Sequence, residues 1–123
     1  MKNLHLVITL ILLFSSLLIA NENKPTVECM VVRNDIEKIV CKVEVERADY
    51  DRAVTFVWHT KKYPQDDRER TVVLNANHIS VYDYRFLRGR AQGTWNVSIT
   101  LDDTESQNSA EVDFILEGNT LKY

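Results

Sequence analysis

The sequence predicts an all-β protein, an antiparallel sandwich of about seven strands behind an N-terminal signal segment. Three observations predict it. Apolar and polar residues alternate with period two along most of the chain after residue 25, the pattern of half-buried strands. Turn-forming residues interrupt that alternation at roughly ten- to fifteen-residue intervals, with no convincing helical period. After the apolar start, about 100 residues remain, enough for one core and one domain. Two stacked sheets cover their apolar faces with a single shared core, and a closed barrel is the runner-up.

The elements follow in order. Val27, Cys29 and Val31 alternate with Thr26, Glu28 and Met30, and Asn34-Asp35 signals a turn. Ile39, Cys41, Val43 and Val45 then alternate with Lys42, Glu44 and Glu46, a charged outer face over a mostly β-branched inner one. Val54, Phe56 and Trp58 alternate with Thr55, Val57 and His59 in a third strand. The polar stretch Lys61 to Arg68 holds Pro64 and reads as an exposed loop. Arg70 to Leu74 forms a fourth strand, with Val72 and Leu74 on one face, and Asn75-Ala76-Asn77 ends it. Ile79 to Phe86 is a less regular fifth strand, with Ile79, Val81 and Tyr82 or Tyr84 as its apolar members. Leu87 to Gly93 is a loop. Trp95, Val97, Ile99 and Leu101 alternate with Thr94, Asn96, Ser98 and Thr100. A polar turn spans Asp102 to Asn108, and Ala110, Val112, Phe114 and Leu116 form the last strand before Gly118-Asn119. Trp58 and Trp95 are the natural heavy core residues, since each lies in the inward set of its strand.

The two cysteines fit this scheme. In a hairpin centred on Asp35, positions 29 and 41 lie opposite each other and share the inward parity. Opposed residues on one face bring their Cβ atoms within about 4.5–5.5 Å, close to what a disulfide needs. A Cys29–Cys41 disulfide is therefore expected, contributing about 2–3 kcal/mol through chain entropy. No Cys-x-x-Cys is present, so redox catalysis has no motif, and two cysteines do not make a structural zinc site.

Residues 1–20 have the three parts of a secretory signal. Lys2 is basic, Leu6 to Phe14 is apolar apart from Thr9, and Ala20 is small and precedes polar Asn21-Glu22-Asn23-Lys24. Leu18 stands where a small residue is preferred for cleavage. The stretch Leu4–Ala20 also reaches the lower end of membrane-spanning length, about 17 residues, so an uncleaved anchor is the alternative. No cysteine follows the apolar core, so a lipid anchor is not expected. The expected location is periplasmic or secreted, with residues 21–123 as one domain and membrane contact only if the segment is retained. Export supplies the oxidising compartment that the disulfide requires. The exported part keeps fourteen basic against eighteen acidic residues, a net charge of about −4. Nucleic acid, which selects basic surfaces, is not an expected partner.

Few residues form a catalytic pattern. His59 and His78 lack metal-ligand spacing. Serines 80, 98, 106 and 109 lie in no Gly-x-Ser-x-Gly, and the three glycines make no phosphate loop. Asp66-Asp67 and Asp102-Asp103 read as solvated turn residues, and the Asp102–Glu105 turn matches no calcium-loop pattern. Asn96-Val97-Ser98 is a formal glycosylation sequon. No cofactor or metal is expected. The most suggestive surface is a candidate binding patch of Tyr84, Arg85, Arg88 and Arg90, joined by Arg68 and Arg70 if the fourth and fifth strands pair. Such arginines grip anionic groups through charge-assisted hydrogen bonds.

Four short pieces carry a family resemblance: Phe56-Val57-Trp58-His59, Tyr84-Arg85-Phe86-Leu87-Arg88, Gly93-Thr94-Trp95-Asn96-Val97 and Phe114-Ile115-Leu116. Through them, Phe56 to Leu116 resembles a family of uncharacterised bacterial envelope domains. That family has a His/Trp strand, an Arg-x-x-Ser-x-Lys stretch, a Gly-x-Trp-x-Val strand and a closing Phe-x-Val-type strand. Here the serine and lysine of the middle stretch are absent, and histidine follows the first tryptophan. The resemblance implies an immunoglobulin-like sandwich and a bacterial envelope location, and it implies no activity.

The expected function is a non-enzymatic binding module of the bacterial periplasm or envelope, with an envelope protein or an anionic ligand as partner. A carbohydrate-binding module using exposed rings such as Tyr63, Tyr82 or Tyr84 is the first alternative, and a flat row of exposed rings marks it. A small secreted hydrolase is the second, and it requires His59 or His78 to meet carboxylates in a pocket.

Overall fold

The computed structural model describes residues 24–102 and 107–123. The signal segment and residues 103–106 of the predicted turn, with Asp103 and Glu105, lie outside these residues, and Asp102 is the last residue of a strand. The described residues form eight strands: β1 Thr26–Val32, β2 Lys38–Glu44, β3 Arg52–Thr60, β4 Arg68–Leu74, β5 Ser80–Phe86, β6 Gly93–Asp102, β7 Gln107–Glu117 and β8 Thr120–Lys122. A single 3₁₀ turn, Pro64–Asp66, interrupts the loop between β3 and β4.

The strands make two antiparallel sheets, β1-β2-β5 and β4-β3-β6-β7-β8. This is a sandwich, not the closed barrel. Its layout is immunoglobulin-like, but β4 sits beside β3 rather than in the sheet of the first, second and fifth strands, as a constant-type domain has it. Three strands therefore face five.

The inward sets match the alternation for six of the seven predicted strands. Ile39, Cys41, Val43, Val54, Phe56, Trp58, Val97, Ile99, Phe114 and Leu116 are all buried. Trp58 and Trp95 meet edge to face at the centre, with ring centroids 6.5 Å apart. At about 1.5–3 kcal/mol for each large apolar side chain removed from water, this cluster is the main source of stability.

The first hairpin has the predicted register, with Cys29 opposite Cys41 and Thr26 opposite Glu44. The two cysteines are bonded, and their Cα atoms lie 4.1 Å apart. The short separation has a cause. Leu87 N–H donates to Glu37 O and Val45 N–H to Ile79 O, which sets the phase of the β2–β5 ladder. Odd-numbered β2 residues bond to β5, so Cys41 and Cys29 form a non-hydrogen-bonded pair, the closer kind.

The fifth strand corrects the sequence reading. Its inward set is Val81, Asp83, Arg85 and then Leu87, while Tyr82 and Tyr84 point outward and Ile79 is exposed. The short β8 was not expected either. It pairs with the end of β7 after the turn at Gly118, whose φ of 62° suits glycine.

Candidate functional site

The predicted patch of Tyr84, Arg85, Arg88 and Arg90 does not form one surface, because alternation sends Tyr84 and Arg85 to opposite faces of β5. Arg85 is a core residue, 8% exposed, with its guanidinium 5.8 Å from the Trp58 ring centroid and 5.7 Å from that of Trp95. It donates to Asp66 O at 2.6 Å and to Asp66 Oδ1 at 3.0 Å. Arg90 reaches the same Oδ1 at 3.0 Å, and Asp66 Oδ2 accepts the Ala91 N–H at 2.8 Å. Burial, with Arg90 close by, lowers the Arg85 guanidinium from its usual value, and Asp66 opposes that fall. Asp66 thus pins the Leu87–Gly93 loop onto the 3₁₀ turn, so Arg85 and Arg90 serve the fold.

Asp83 anchors a second buried group. It is 1% exposed and accepts Trp58 Nε1–H at 2.8 Å and Arg68 Nη2 at 2.8 Å, with Arg70 Nη1 at 3.5 Å. Arg68 also donates to Tyr84 O at 2.8 Å. Arg68 and Arg70 do approach β5, but through their side chains across the gap between the sheets rather than through strand pairing. Sequence reasoning missed Asp83. The available signal was the apolar pair Val81 and Leu87, which brackets positions 83 and 85 on the inward parity.

The histidines are separated by the topology. His59 ends β3 and His78 precedes β5, at opposite ends of the sandwich. His59 Nδ1 lies 2.7 Å from Asp67 Oδ2, and Asp67 Oδ1 accepts the Thr60 N–H at 2.8 Å. Burial pushes the Asp67 carboxyl up, but bonds from His59 and Thr60 and the charge of Arg85 outweigh it and hold the group below the usual carboxylate range. An ionised carboxylate only accepts, so Nδ1 carries the proton. This arrangement clasps the loop after β3. Among the described residues, no group of three His, Cys, Asp or Glu could hold a metal.

The exposed features lie in two places. At the loop end, Leu87–Gly93 is a ridge between two open grooves. One, of about 660 Å³, is lined by Lys62, Tyr63, Gln65 and Arg90 over Asp66. The other, of about 640 Å³, is lined by Asp35, Ile36, Arg88 and Asn119. Arg88 is the member of the predicted patch that stands exposed in a groove.

The second feature is an asymmetry between the outer faces. Outside the five-stranded sheet the residues are mostly polar; Val73 and Ile115 are exposed there singly, on β4 and β7, which are not neighbours. There Thr55 Oγ1 meets Thr71 Oγ1 at 2.9 Å, and Asn96 Nδ2 donates to Asp113 Oδ1 at 2.7 Å. Outside the three-stranded sheet, register aligns Met30, Val40 and Tyr84 in one row, Val32, Lys38 and Phe86 in the next, and Glu28, Lys42 and Tyr82 on the other side. Met30 is 49% exposed, Tyr82 53%, Tyr84 41% and Phe86 49%. Tyr84 and Phe86 meet edge to face at 65°, Lys38 Nζ lies 4.7 Å over the Tyr84 ring, and Lys42 Nζ lies 5.9 Å from the Tyr82 centroid.

The fold and the disulfide are thus read from this chain's own residues: no protein-family model, no curated protein and no solved structure matches it.

Proposed function

We propose that this protein is an exported, non-enzymatic interaction module that docks a partner on the outer face of its three-stranded sheet. One observation carries the reading. A sandwich sheet normally turns polar side chains to water, as the five-stranded sheet does here apart from the isolated Val73 and Ile115, yet the other sheet exposes Met30, Tyr82, Tyr84 and Phe86 together. Contiguous exposed apolar groups mark interaction sites, whereas single ones need no explanation.

The location belongs to the same reading. The disulfide points to an oxidising, extracytoplasmic setting. The signal-like residues 1–20 and the resemblance to bacterial envelope domains support the periplasm or envelope in particular. The carbohydrate alternative draws less support, because the Tyr84 ring is tilted 65° from its neighbour Phe86 and a lysine covers its face. The hydrolase alternative draws less still, because the His59–Asp67 pair is engaged in clasping a loop.

Chemical crosslinking in native envelopes tests the proposal. Wild type should capture a partner that the Tyr82→Ser, Tyr84→Ser variant loses, while Thr100→Ala, an exposed position on the opposite sheet, keeps it. An unchanged set of crosslinks in the tyrosine variant would refute docking through this face.

A further inference from the structure

We infer that the partner presents an extended acidic segment to this face, with apolar side chains between its carboxylates. The inference rests on the docking reading above and names the partner's chemistry.

Charge is the first argument. Lys42 is paired with Glu44 at 3.0 Å. Lys38 has no carboxylate partner among the described residues, and neither does Arg88, two positions beyond Phe86. Their end of the aromatic stripe is therefore cationic, while Glu28 and Glu44 stand toward the other end. A bound segment with its carboxylates at Lys38 and Arg88 satisfies both cations while its apolar groups lie on Tyr84, Phe86 and Met30. Partly desolvated charge pairs of this kind fix orientation.

Other occupants fit less well. β2 is the middle strand, and it puts Lys38 and Lys42 at the centre of the face. A second copy packed about an axis along β2 sets each lysine against its twin. An axis across the strands at Val40 sets Lys38 against Lys42, which again opposes like charges. Strand addition at the β5 edge is obstructed as well. Ladder phase turns the backbone groups of Tyr82, Tyr84 and Phe86 toward that edge, but Arg68 already holds Tyr84 O. The segment therefore lies on the face, not along the edge.

The test pans a displayed library of random peptides on the intact folded domain and counter-selects on the Tyr82→Ser, Tyr84→Ser variant. Enriched peptides should alternate acidic and apolar residues. Their binding, read by fluorescence anisotropy, should fall about tenfold with Lys38→Glu and weaken with added salt. Thermal unfolding checks that each variant stays folded. No enrichment, enrichment of basic peptides, or equal binding to Lys38→Glu overturns the inference. Face-dependent binding to phosphatidylglycerol vesicles, or a face-dependent dimer in sedimentation, overturns it as well. If the tyrosine variant loses its envelope crosslinks while acidic peptides fail, the docking reading stands and only the partner chemistry falls.

Discussion

Asp83 shows how one residue organises this domain. A carboxylate is expensive to bury, yet here it receives an indole N–H and a guanidinium at 2.8 Å each. Removing it leaves Trp58 Nε1 without its acceptor and the Arg68 guanidinium without its buried counter-charge, with only Tyr84 O to donate to. Asp83→Ala should cost about 3–5 kcal/mol in urea unfolding, the usual penalty for breaking a buried ion pair. Arg70→Ala, which loses only a 3.5 Å contact from a half-exposed side chain, should cost under about 1 kcal/mol. Equal losses from the two would show that Asp83 is not the anchor. Asp67 makes a prediction about pH. Its folded pKa lies below the unfolded value of 3.8. The stabilisation is therefore complete above that value and fades as pH falls through the lower, folded one. His59→Ala should move the Asp67 titration upward, as followed by NMR of the Thr60 amide. Adjacency also limits what a patch can be. Tyr84 and Arg85 are neighbours on a strand, so they cannot share a face, and that much was legible from the sequence.

At the scale of elements, alternation revealed six strands well because each has an apolar inward set and a polar outward one. The β1–β2 hairpin was legible to its register, since the equidistance of Cys29 and Cys41 from Asp35 sets both the pairing and the disulfide. Cys29→Ala with Cys41→Ala should lower stability by about 2–3 kcal/mol and leave the fold intact. Mass measurement with and without reductant should show the two-proton difference of an intact bond. The fifth strand failed the same test because its polarity is inverted: aromatic side chains face water and charged ones face the core. Tertiary context decided it. Two tryptophan N–H groups need acceptors, and Asp83 and Ala91 O supply them. β8 has three residues, too few for a period to register.

The whole molecule depends on two seams where the sheets do not join. On one side, Arg68 from β4 reaches Asp83 and the backbone of β5. On the other, Arg33 after β1 donates to Asn119 O at 2.5 Å, and the Tyr123 hydroxyl donates to Cys29 O. That carbonyl is free for it because Cys29 is in a non-hydrogen-bonded pair at a sheet edge. Burial raises the Tyr123 phenol above its usual 10.0, with Glu28 adding to the rise and the bond to Cys29 opposing it. A raised folded pKa means that the contact stabilises fully below the unfolded value and is lost as pH rises through the folded one. Tyr123→Phe should therefore remove the part of the stability loss above about pH 10 that this phenol causes, as seen in thermal unfolding against pH. These seams were not visible in the sequence, since each joins residues far apart in the chain. The exposed aromatic face was hidden for a different reason: a reading that sends apolar residues inward has no place for a row of them outside. Site-specific photocrosslinking in native envelopes tests that face most directly, with the crosslinking residue at position 84 or, on the opposite sheet, at position 98. Capture from position 84 and none from position 98 is the result the account predicts. Equal capture from both, or none from 84, would contradict it.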